Sequence, residues 1–322
     1  VLIRHMVGRE INNIYPERQR NPFKAAAAAV DAAKAAGVKV ISYDRLIPDT
    51  DAIDYYVTFD SIAVGAQQAQ YLVDHATGTG NPLYLYAGAA TDNNAFLFFQ
   101  GAWDVLQPRI ADGTFVIKNS GQASSLQANA ALTRAQQRAI FNQITTGWDR
   151  QTASNLAQAN LASATAADKG NVFILAPNDN TARAIADVFA ADQDVTSYLI
   201  TGQDAEEASA QYIMDGKQSM TVFKDVRTLV QATVDASVAL LKGQTPAASG
   251  SVNNGAKAVP TVESPVVSVD RTNVEATLIA SGYYQAGNAA GVSQAPAQSG
   301  SLAVGVVLPT QDEPRWIQDQ AH

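Results

Sequence analysis

Val172-Phe-Ile-Leu-Ala-Pro177 is followed at once by Asn178 and Asp179, and then by a helical segment at residues 181–190. A short apolar run that ends in Pro and polar residues is typical of a buried strand in a parallel sheet. A second apolar run, at residues 197–202, predicts the next strand. The stretch therefore predicts a β-α-β unit, in which a helix connects two parallel strands.

The same alternation of apolar runs and helical segments continues along most of the chain. It predicts an α/β fold whose parallel sheets are covered by helices on both faces. Because the chain has 322 residues, two domains are expected rather than one. The predicted strands are residues 38–44, 55–60, 82–87, 115–118, 172–177, 197–202, 219–223 and 265–269, and the longer helices are 23–36, 62–75, 93–106, 132–144 and 226–242.

Composition excludes several classes of function. The formal net charge of −8 argues against a nucleic-acid surface, which requires a basic stripe. The chain has no Cys, and its three His are scattered, so neither a thiolate site nor a His-based zinc site is expected. No apolar run is long enough to span a membrane. We therefore predict no metal, no cofactor, no nucleic-acid partner and no membrane span.

Polar residues follow almost every predicted strand. In open α/β sheets, ligands bind outside the carboxyl ends of the strands, so these residues are candidates for a binding site. Carboxylates, amides and cations together suit a neutral polyol, whose hydroxyls both donate and accept hydrogen bonds, and aromatic rings suit its apolar faces. The polar candidates are Asp44, Arg45, Asp60, residues 91–94, Asn178, Asp179, Gln203, Asp204, Lys224, Asp225, Asp312 and Arg315, and the nearby aromatics are Phe96, Phe98, Phe99, Trp148 and Trp316.

Simpler interpretations of these residues stay open. Charged residues at strand ends are often solvated loop residues, and Asp92 and Asp179 could each be a helix N-cap. Trp148 taken alone favours a core or rim position. The acids could also conceal a glycosidase pair, although Lys224, Arg45 and Arg315 would neutralise them, as in a binding site. No nucleophile elbow, phosphate loop or dinucleotide fingerprint is present.

The end of the chain looks like the beginning of a domain. Ser301-Leu-Ala-Val-Gly-Val-Val-Leu-Pro309 predicts a buried first strand, and residues 310–322 predict the start of a helix. Residues 285–300 are small and uncharged, which predicts a flexible linker. The order of elements therefore suggests a permuted chain.

Several short motifs along the chain carry a resemblance to a known family. They are Tyr43-Asp-Arg-Leu-Ile47, Tyr55-Tyr-Val-Thr-Phe-Asp60, Asp92-Asn-Asn-Ala-Phe96, Ala176-Pro-Asn-Asp179, Thr201-Gly-Gln-Asp-Ala205, Thr221-Val-Phe-Lys-Asp225, Asn253-Asn-Gly255, and Pro309-Thr310 with Arg315-Trp316. They resemble motifs of the type I periplasmic sugar-binding proteins of ABC importers, in particular the xylose-binding and multiple-monosaccharide-binding branch. The resemblance covers about residues 23–285 and 301–321.

The resemblance implies two Rossmann-like lobes, joined by three crossovers, with a monosaccharide in the cleft. It further implies a solute-binding component without catalysis, located in the periplasm or at the outer cell surface, with an ABC permease as partner. Phe99 stands where some xylose binders carry an Arg, which puts the identity of the sugar in doubt. The implied ligand-binding residues are Asp44, Arg45, Asn94, Trp148, Asn178, Asp204, Lys224, Arg315 and Trp316.

The chain departs from the family pattern at its ends. Family members begin with the strand and the Arg-Trp helix that stand last in this sequence. The resemblance therefore implies a circular permutation, in which residues 285–300 join the family's original C-terminus to its original N-terminus. These residues resemble the tether that follows a lipoprotein anchor. Residues 1–21 replace several elements of the first lobe, and residues 2–16 resemble a piece of an importer ATPase subunit, or form a generic amphipathic helix. The predicted first lobe is 21–60, 225–258 and 301–322, with 1–20 as an added helix; the second lobe and crossover are 61–224 and 259–285, and the linker is 286–300.

Three hypotheses for the function follow. The leading one is a module that binds xylose or a similar aldopyranose, with closure of the lobes presenting the bound form to a permease. The second is a sugar-sensing receptor or regulator, although neither sequence nor charge provides a DNA-binding headpiece. The third is an enzyme that acts on sugars. A rearranged or engineered chain, in which the loss of two strands impairs binding, is also compatible with the shortened lobe.

Overall fold

The computed structural model describes residues 22–284, with side chains from residue 27 onward. Within this range the strands form three sheets, and all but two of the strand pairings are parallel. The predicted α/β fold with parallel sheets is confirmed. Residues 1–21 and 285–322, which include the predicted permuted strand, the added helix and the linker, lie outside the described residues.

Within the described residues, the first lobe has a four-stranded sheet with one helix on each face. Its central strand, Tyr55–Phe59 (β2), is buried at every position. On one face of the sheet, Tyr55, Val57 and Phe59 pack against Leu229 and Ala236 of the helix Val226–Leu241. Tyr56 lies on the opposite face. The strand order is Ile41–Tyr43 (β1), Tyr55–Phe59 (β2), Ala258–Ser264 (β9) and Gly250–Asn253 (β8), and the helices are Pro22–Ala35 (α1) and Val226–Leu241 (α9).

The second lobe is built on a four-stranded parallel sheet with helices on both faces. Alternate residues of its strands face two different cores, with Leu83 and Leu85 on one side and Tyr84 and Tyr86 on the other. The strand order is Phe115–Ile117 (β4), Asn81–Leu85 (β3), Gly170–Leu175 (β5) and Val195–Ile200 (β6), and the helices are Ser61–His75 (α2), Asn93–Ala111 (α3), Gly121–Ser125 (α4), Arg134–Ile144 (α5), Arg150–Ser163 (α6) and Asp179–Ala191 (α7), with a 3₁₀ turn at Ala166–Asp168.

A small antiparallel sheet lies beside the second lobe. Its strands pair Val267 with Phe223 and Asp270 with Met220. Val269 and Phe223 contribute to a separate apolar core with the helix that precedes them. The strands are Met220–Phe223 (β7) and Val267–Asp270 (β10), the helix is Glu207–Met214 (α8), and a π-helical turn spans Glu275–Ile279.

One predicted boundary differs from the structure. We assigned residues 259–285 to the second lobe and its crossover, but β9 pairs with β2 and β8 in the first sheet. Pro260 lies within β9, and a proline inside a run argues against a strand on sequence grounds. The strand forms because Pro260 is exposed, whereas Val259 and Thr261 are buried against the first lobe. After β9, the chain returns towards the second lobe at residues 267–270.

Helices α2 and α3 cross with their backbones in contact. A Cβ atom on Gly65 would lie 1.7 Å from the carbonyl oxygen of Phe98, and one on Gly101 would lie 2.0 Å from that of Ile62. Close approach therefore requires glycine at both positions. Because the N-terminal end of α3 carries Asp92 and Asn94, this crossing also fixes where those side chains lie.

Replacement of Gly65 by Ala is expected to destabilise the protein by about 3 kcal/mol, because the methyl group forces the two helices apart. The free energy of unfolding in urea measures this effect. Gly121→Ala is the matched control, since no atom lies within 4 Å of the added Cβ. Equal stability of the two variants would contradict the close crossing.

Candidate functional site

The structure places five of the described candidates, Asp44, Arg45, Asn178, Asp204 and Lys224, shortly after the ends of strands. Asn94 lies instead at the start of α3, and Trp148 lies between α5 and α6. Several of these candidates are charged or polar and yet almost completely buried. Such burial is costly unless each group has a partner or serves a ligand. The exposed fractions are 6% for Asp44, 4% for Asn94, 6% for Asn178, 5% for Asp204 and 6% for Lys224.

The backbone at Asp44 joins the two lobes. Its carbonyl oxygen accepts hydrogen bonds from the Tyr56 hydroxyl at 2.8 Å and the Thr58 hydroxyl at 3.2 Å, both in β2. It also accepts one from Nδ2 of Asn94, across the cleft, at 2.9 Å. Asp44 has a φ of 59°, a left-handed conformation that is uncommon for a non-glycine residue. These hydrogen bonds hold the turn that carries the Asp44 carboxyl group.

An ion pair forms a second contact between the lobes. Nε of Arg45 lies 3.0 Å from Oδ2 of Asp92. Asp92 also caps α3, because its Oδ1 accepts a hydrogen bond from the backbone N–H of Asn94 at 2.9 Å. Burial raises the pKa of the Asp92 carboxyl, and the positive charge of Arg45 opposes this rise. The cap interpretation of Asp92 is confirmed, and the same carboxyl pairs with a residue of the first lobe.

Asp204 and Lys224 form a buried ion pair beside aromatic rings. Nζ of Lys224 lies 2.6 Å from Oδ1 of Asp204, and each side chain is 7% exposed. The same Nζ lies 5.5 Å from the centre of the Phe98 ring and 5.9 Å from that of Phe59. A buried ion pair is a poor source of stability, because desolvation of both charges offsets their attraction. Its presence at the strand ends favours a role in binding.

Trp148 lies on the second-lobe side of this region. Its φ is 65°, and its ring meets that of Phe98 edge-on, with centroids 6.3 Å apart. A Cβ atom on Gly88 would lie 2.1 Å from Cζ2 of the indole, so only glycine leaves room for the ring. The indole Nε1 makes no well-formed hydrogen bond within residues 22–284, although it lies close enough to Asp92 to oppose the rise in the pKa of that carboxyl.

Asn178, rather than Asp179, is the N-cap of α7. Its Oδ1 accepts hydrogen bonds from the hydroxyl of Thr181 at 2.6 Å and from the Thr181 backbone N–H at 3.4 Å. The alternative in which Asp179 caps the helix is therefore wrong. Because Oδ1 of Asn178 is committed to the cap, a ligand would be contacted through its Nδ2.

Two of the aromatic candidates belong to the core rather than to the cleft. Phe96 stacks on Phe141 with centroids 4.4 Å apart, and Phe99 meets the same ring edge-on at 5.4 Å. Both occupy the α3 face that packs against α5. Arg315 and Trp316 lie outside the described residues.

Sequence reasoning missed several residues that shape this region. For Tyr56 and Phe59 the sequence predicts only a place in strand β2, because both fit its apolar pattern, and not a place beside the candidate site. The only sequence signal that could have placed Gly88 near the site is its position directly after a predicted strand. The role of Arg45 and Asp92 as a pair could not be deduced, because it depends on how the lobes approach each other.

The family model described as a periplasmic binding protein domain matches residues 21–245. The chain belongs to this family. It therefore has the type I periplasmic binding protein fold, and this is a family of binding proteins, not enzymes. Its relatives include periplasmic proteins.

Several relatives are similar over most of the chain. The multiple sugar-binding periplasmic receptor of Rhizobium radiobacter is 37% identical over 78% of this chain and 69% of its own length. The D-xylose-binding periplasmic protein of Escherichia coli is 32% identical over 80% of this chain and 69% of its own.

Solved structures show the same similarity. A carbohydrate transporter solute-binding protein from Chloroflexus aurantiacus, in complex with D-glucose, is 73% identical with a TM-score of 0.80, and the match covers 81% of this chain and 77% of that one. An ABC transporter solute-binding protein from Clostridium phytofermentans with bound β-D-glucose is 34% identical with a TM-score of 0.69, at the same coverage.

Within residues 22–284, no helix has both the length and the apolar character needed to cross a membrane.

Asp92→Asn is expected to favour separation of the lobes, because asparagine retains the helix cap but loses the ion pair with Arg45. A charge-assisted contact of about 2 kcal/mol would change the open population about thirtyfold. The chain has no Cys, so one introduced cysteine in each lobe allows specific spin labelling and measurement of the distance between lobes. Asp104→Asn, at an exposed acid on the same helix, is the matched control. An unchanged distance distribution in Asp92→Asn would contradict the role of the ion pair.

Proposed function

We propose that this protein is the solute-binding component of an ABC sugar importer and that it binds a monosaccharide, an aldopyranose such as glucose or xylose, between its lobes. The observation that carries the proposal is the buried Asp204–Lys224 ion pair at the strand ends, next to the ring of Phe98. A carboxylate accepts hydrogen bonds from sugar hydroxyls and an ammonium donates to them. The pair therefore recognises a neutral polyol without requiring a charged ligand.

The other proposed contacts come from both lobes. Asp44 and Arg45 approach from the first lobe, and Asn94, Trp148 and Asn178 from the second. Trp148 supplies an aromatic surface for the apolar face of a pyranose. Arg315 and Trp316 belong to the proposed site on the resemblance of their motif. The bound glucose of two similar proteins supports an aldohexose as the first ligand to test.

The proposed partner is an ABC permease that receives the closed form in the periplasm or at the outer cell surface. The contacts of Arg45 with Asp92 and of Asn94 with Asp44 support a closed arrangement of the lobes. The circular permutation of the first strand, and a tether derived from a lipoprotein, are further proposals that rest on the sequence alone.

A second candidate function is sugar sensing. The Rhizobium radiobacter relative is described as a receptor, and the same binding and closure could report a sugar to another protein. Both functions begin with the same binding event. They differ in whether the closed form is recognised by a permease or by a signalling protein.

Titration calorimetry with glucose, xylose, galactose and arabinose tests the binding. We expect one sugar per chain, with no turnover. Lys224→Met should weaken binding by about 2–3 kcal/mol, because the sugar loses a charge-assisted donor and Asp204 loses its partner. Lys217→Met is the matched control, since that lysine is exposed and lies away from the cleft.

Folding of both variants is checked by thermal unfolding, because removing one member of a buried pair also destabilises a protein. A folded Lys224→Met variant with the affinity of the unmodified chain would remove Lys224 from the site. Absence of binding to all four sugars by the unmodified chain would overturn the proposed function.

A further inference from the structure

Asp179 is completely buried and belongs to none of the proposed ligand contacts. Within the described part of the chain, its carboxyl group accepts hydrogen bonds from three donors on two segments, one at residue 206 and the other at residues 218–221. Nε2 of Gln218 donates to Oδ1 at 2.8 Å, and the Thr221 hydroxyl and the Glu206 backbone N–H donate to Oδ2 at 3.0 Å and 2.9 Å. A carboxylate only accepts hydrogen bonds, so it can satisfy all three donors. An amide in its place would turn an NH₂ group towards one of them.

The segment at residues 202–206 depends on these contacts for its shape. Asp204 and Ala205 have φ values of 95° and 51°, conformations that are strained for non-glycine residues. The backbone N–H of Ala205 donates to the Thr221 hydroxyl at 3.1 Å, and that hydroxyl in turn donates to Asp179. The strained turn is therefore linked through one side chain to the buried carboxyl group.

The remaining members of the network close a ring around Asp179. Arg183 contacts a carboxylate oxygen of Glu206 and the hydroxyl of Ser209, each at 2.6 Å. Ser209 donates to Oε1 of Gln218 at 2.8 Å, which returns the chain of hydrogen bonds to Asp179. Such a fully satisfied buried network favours a single arrangement of the segments that it joins.

Gly202 shows how closely the turn approaches the carboxyl group. A Cβ atom at this position would lie 2.1 Å from Oδ1 of Asp179 and 2.5 Å from Nε2 of Gln218. Any other residue would displace the network. Burial raises the pKa of Asp179 well above its usual value, as do the acidic neighbours Glu206 and Asp204, so the surrounding donors offset a substantial cost.

We propose that Asp179 is a positioning residue of the binding site: through Thr221 and the Glu206 backbone it holds the turn that presents the Asp204 carboxylate to Lys224. This inference rests on the proposed function for its consequence, which is sugar affinity. The positioning itself is a property of the protein without sugar. The two can therefore be tested separately.

Thr221→Val removes the hydroxyl that links Asp179 to Ala205 without changing the volume of the side chain. We expect glucose to bind about tenfold more weakly, because the Asp204 carboxylate is no longer held in place. Thr261→Val is the matched control. Thr261 is a buried β9 threonine whose hydroxyl donates to the Val259 carbonyl in the first lobe, so this variant should lose stability but not affinity.

Hydrogen exchange of the Asp204 backbone amide, measured by NMR in the absence of sugar, is the second readout. This amide donates to the Val222 carbonyl at 3.0 Å, and we expect its exchange to be about tenfold faster in Thr221→Val only. Unchanged exchange in Thr221→Val would overturn the inference. If the unmodified chain binds no sugar, the proposed function fails, and the exchange result still decides the positioning role.

Asp179→Asn with a compensating change provides a rescue test. The introduced amide can accept from Thr221 and Glu206 through its oxygen, but its NH₂ group then faces the Nε2 donor of Gln218. Adding Gln218→Glu places a carboxylate oxygen opposite the introduced NH₂ group, although it also removes the hydrogen bond that Nε2 of Gln218 donates to the Met220 carbonyl at 3.0 Å. The double variant should therefore recover part of the slow exchange at Asp204 and part of the affinity. Equal behaviour of the single and double variants, with both folded, would contradict the proposed positioning role of Asp179.

Discussion

The buried ion pair between Asp204 and Lys224 is the interaction on which the rest of this site depends. Neither charge is accessible to water to any great extent, and the Lys224 ammonium is enclosed on one side by phenyl rings. Burying a carboxylate and an ammonium costs more than their attraction returns unless further groups satisfy them. Asp204 lies in a turn that is linked to the buried Asp179 carboxyl through Thr221. The proposed sugar would add hydrogen bonds to the ion pair.

Contacts between the lobes are a second constraint. Arg45 and Asp92, and Asn94 with the Asp44 carbonyl, join groups that carry proposed ligand contacts or lie next to them. Closure and recognition therefore use the same short segments. The crossing of α2 and α3 at Gly65 and Gly101 supports this arrangement, because it fixes the end of α3 from which Asp92 and Asn94 project.

Periodicity and strand-end chemistry predicted much of the fold. The β5–α7–β6 unit and the polar residues after each strand follow from local patterns, which act over a few residues. Strand β9 was not predicted, because its pairing with β2 and β8 is a tertiary contact that local spacing does not show. Phe96 and Phe99 were placed near the site because they lie close to Asn94 in sequence. The helical turn directs them into the core instead.

The roles of the acids illustrate the same limit. Asp92 and Asp179 both stand before or at the start of a helix, and sequence alone allowed either to be a cap. Asp92 is a cap and also pairs with Arg45. Asp179 leaves the cap to Asn178 and accepts hydrogen bonds from two segments that lie much later in the sequence. Tertiary contacts of this kind have no signature in local spacing.

The most direct test of the account is an NMR titration of the isotope-labelled chain with D-glucose, following the backbone amides and the Lys224 ammonium. The account predicts that the largest changes lie at Asp44, Asn94, Asp204 and Lys224, at strand ends of both lobes. The second lobe also has an open surface depression of about 310 Å³ lined by Asp149, Arg150 and Asp187. Changes confined to that depression, with none at Asp204 or Lys224, would contradict the account.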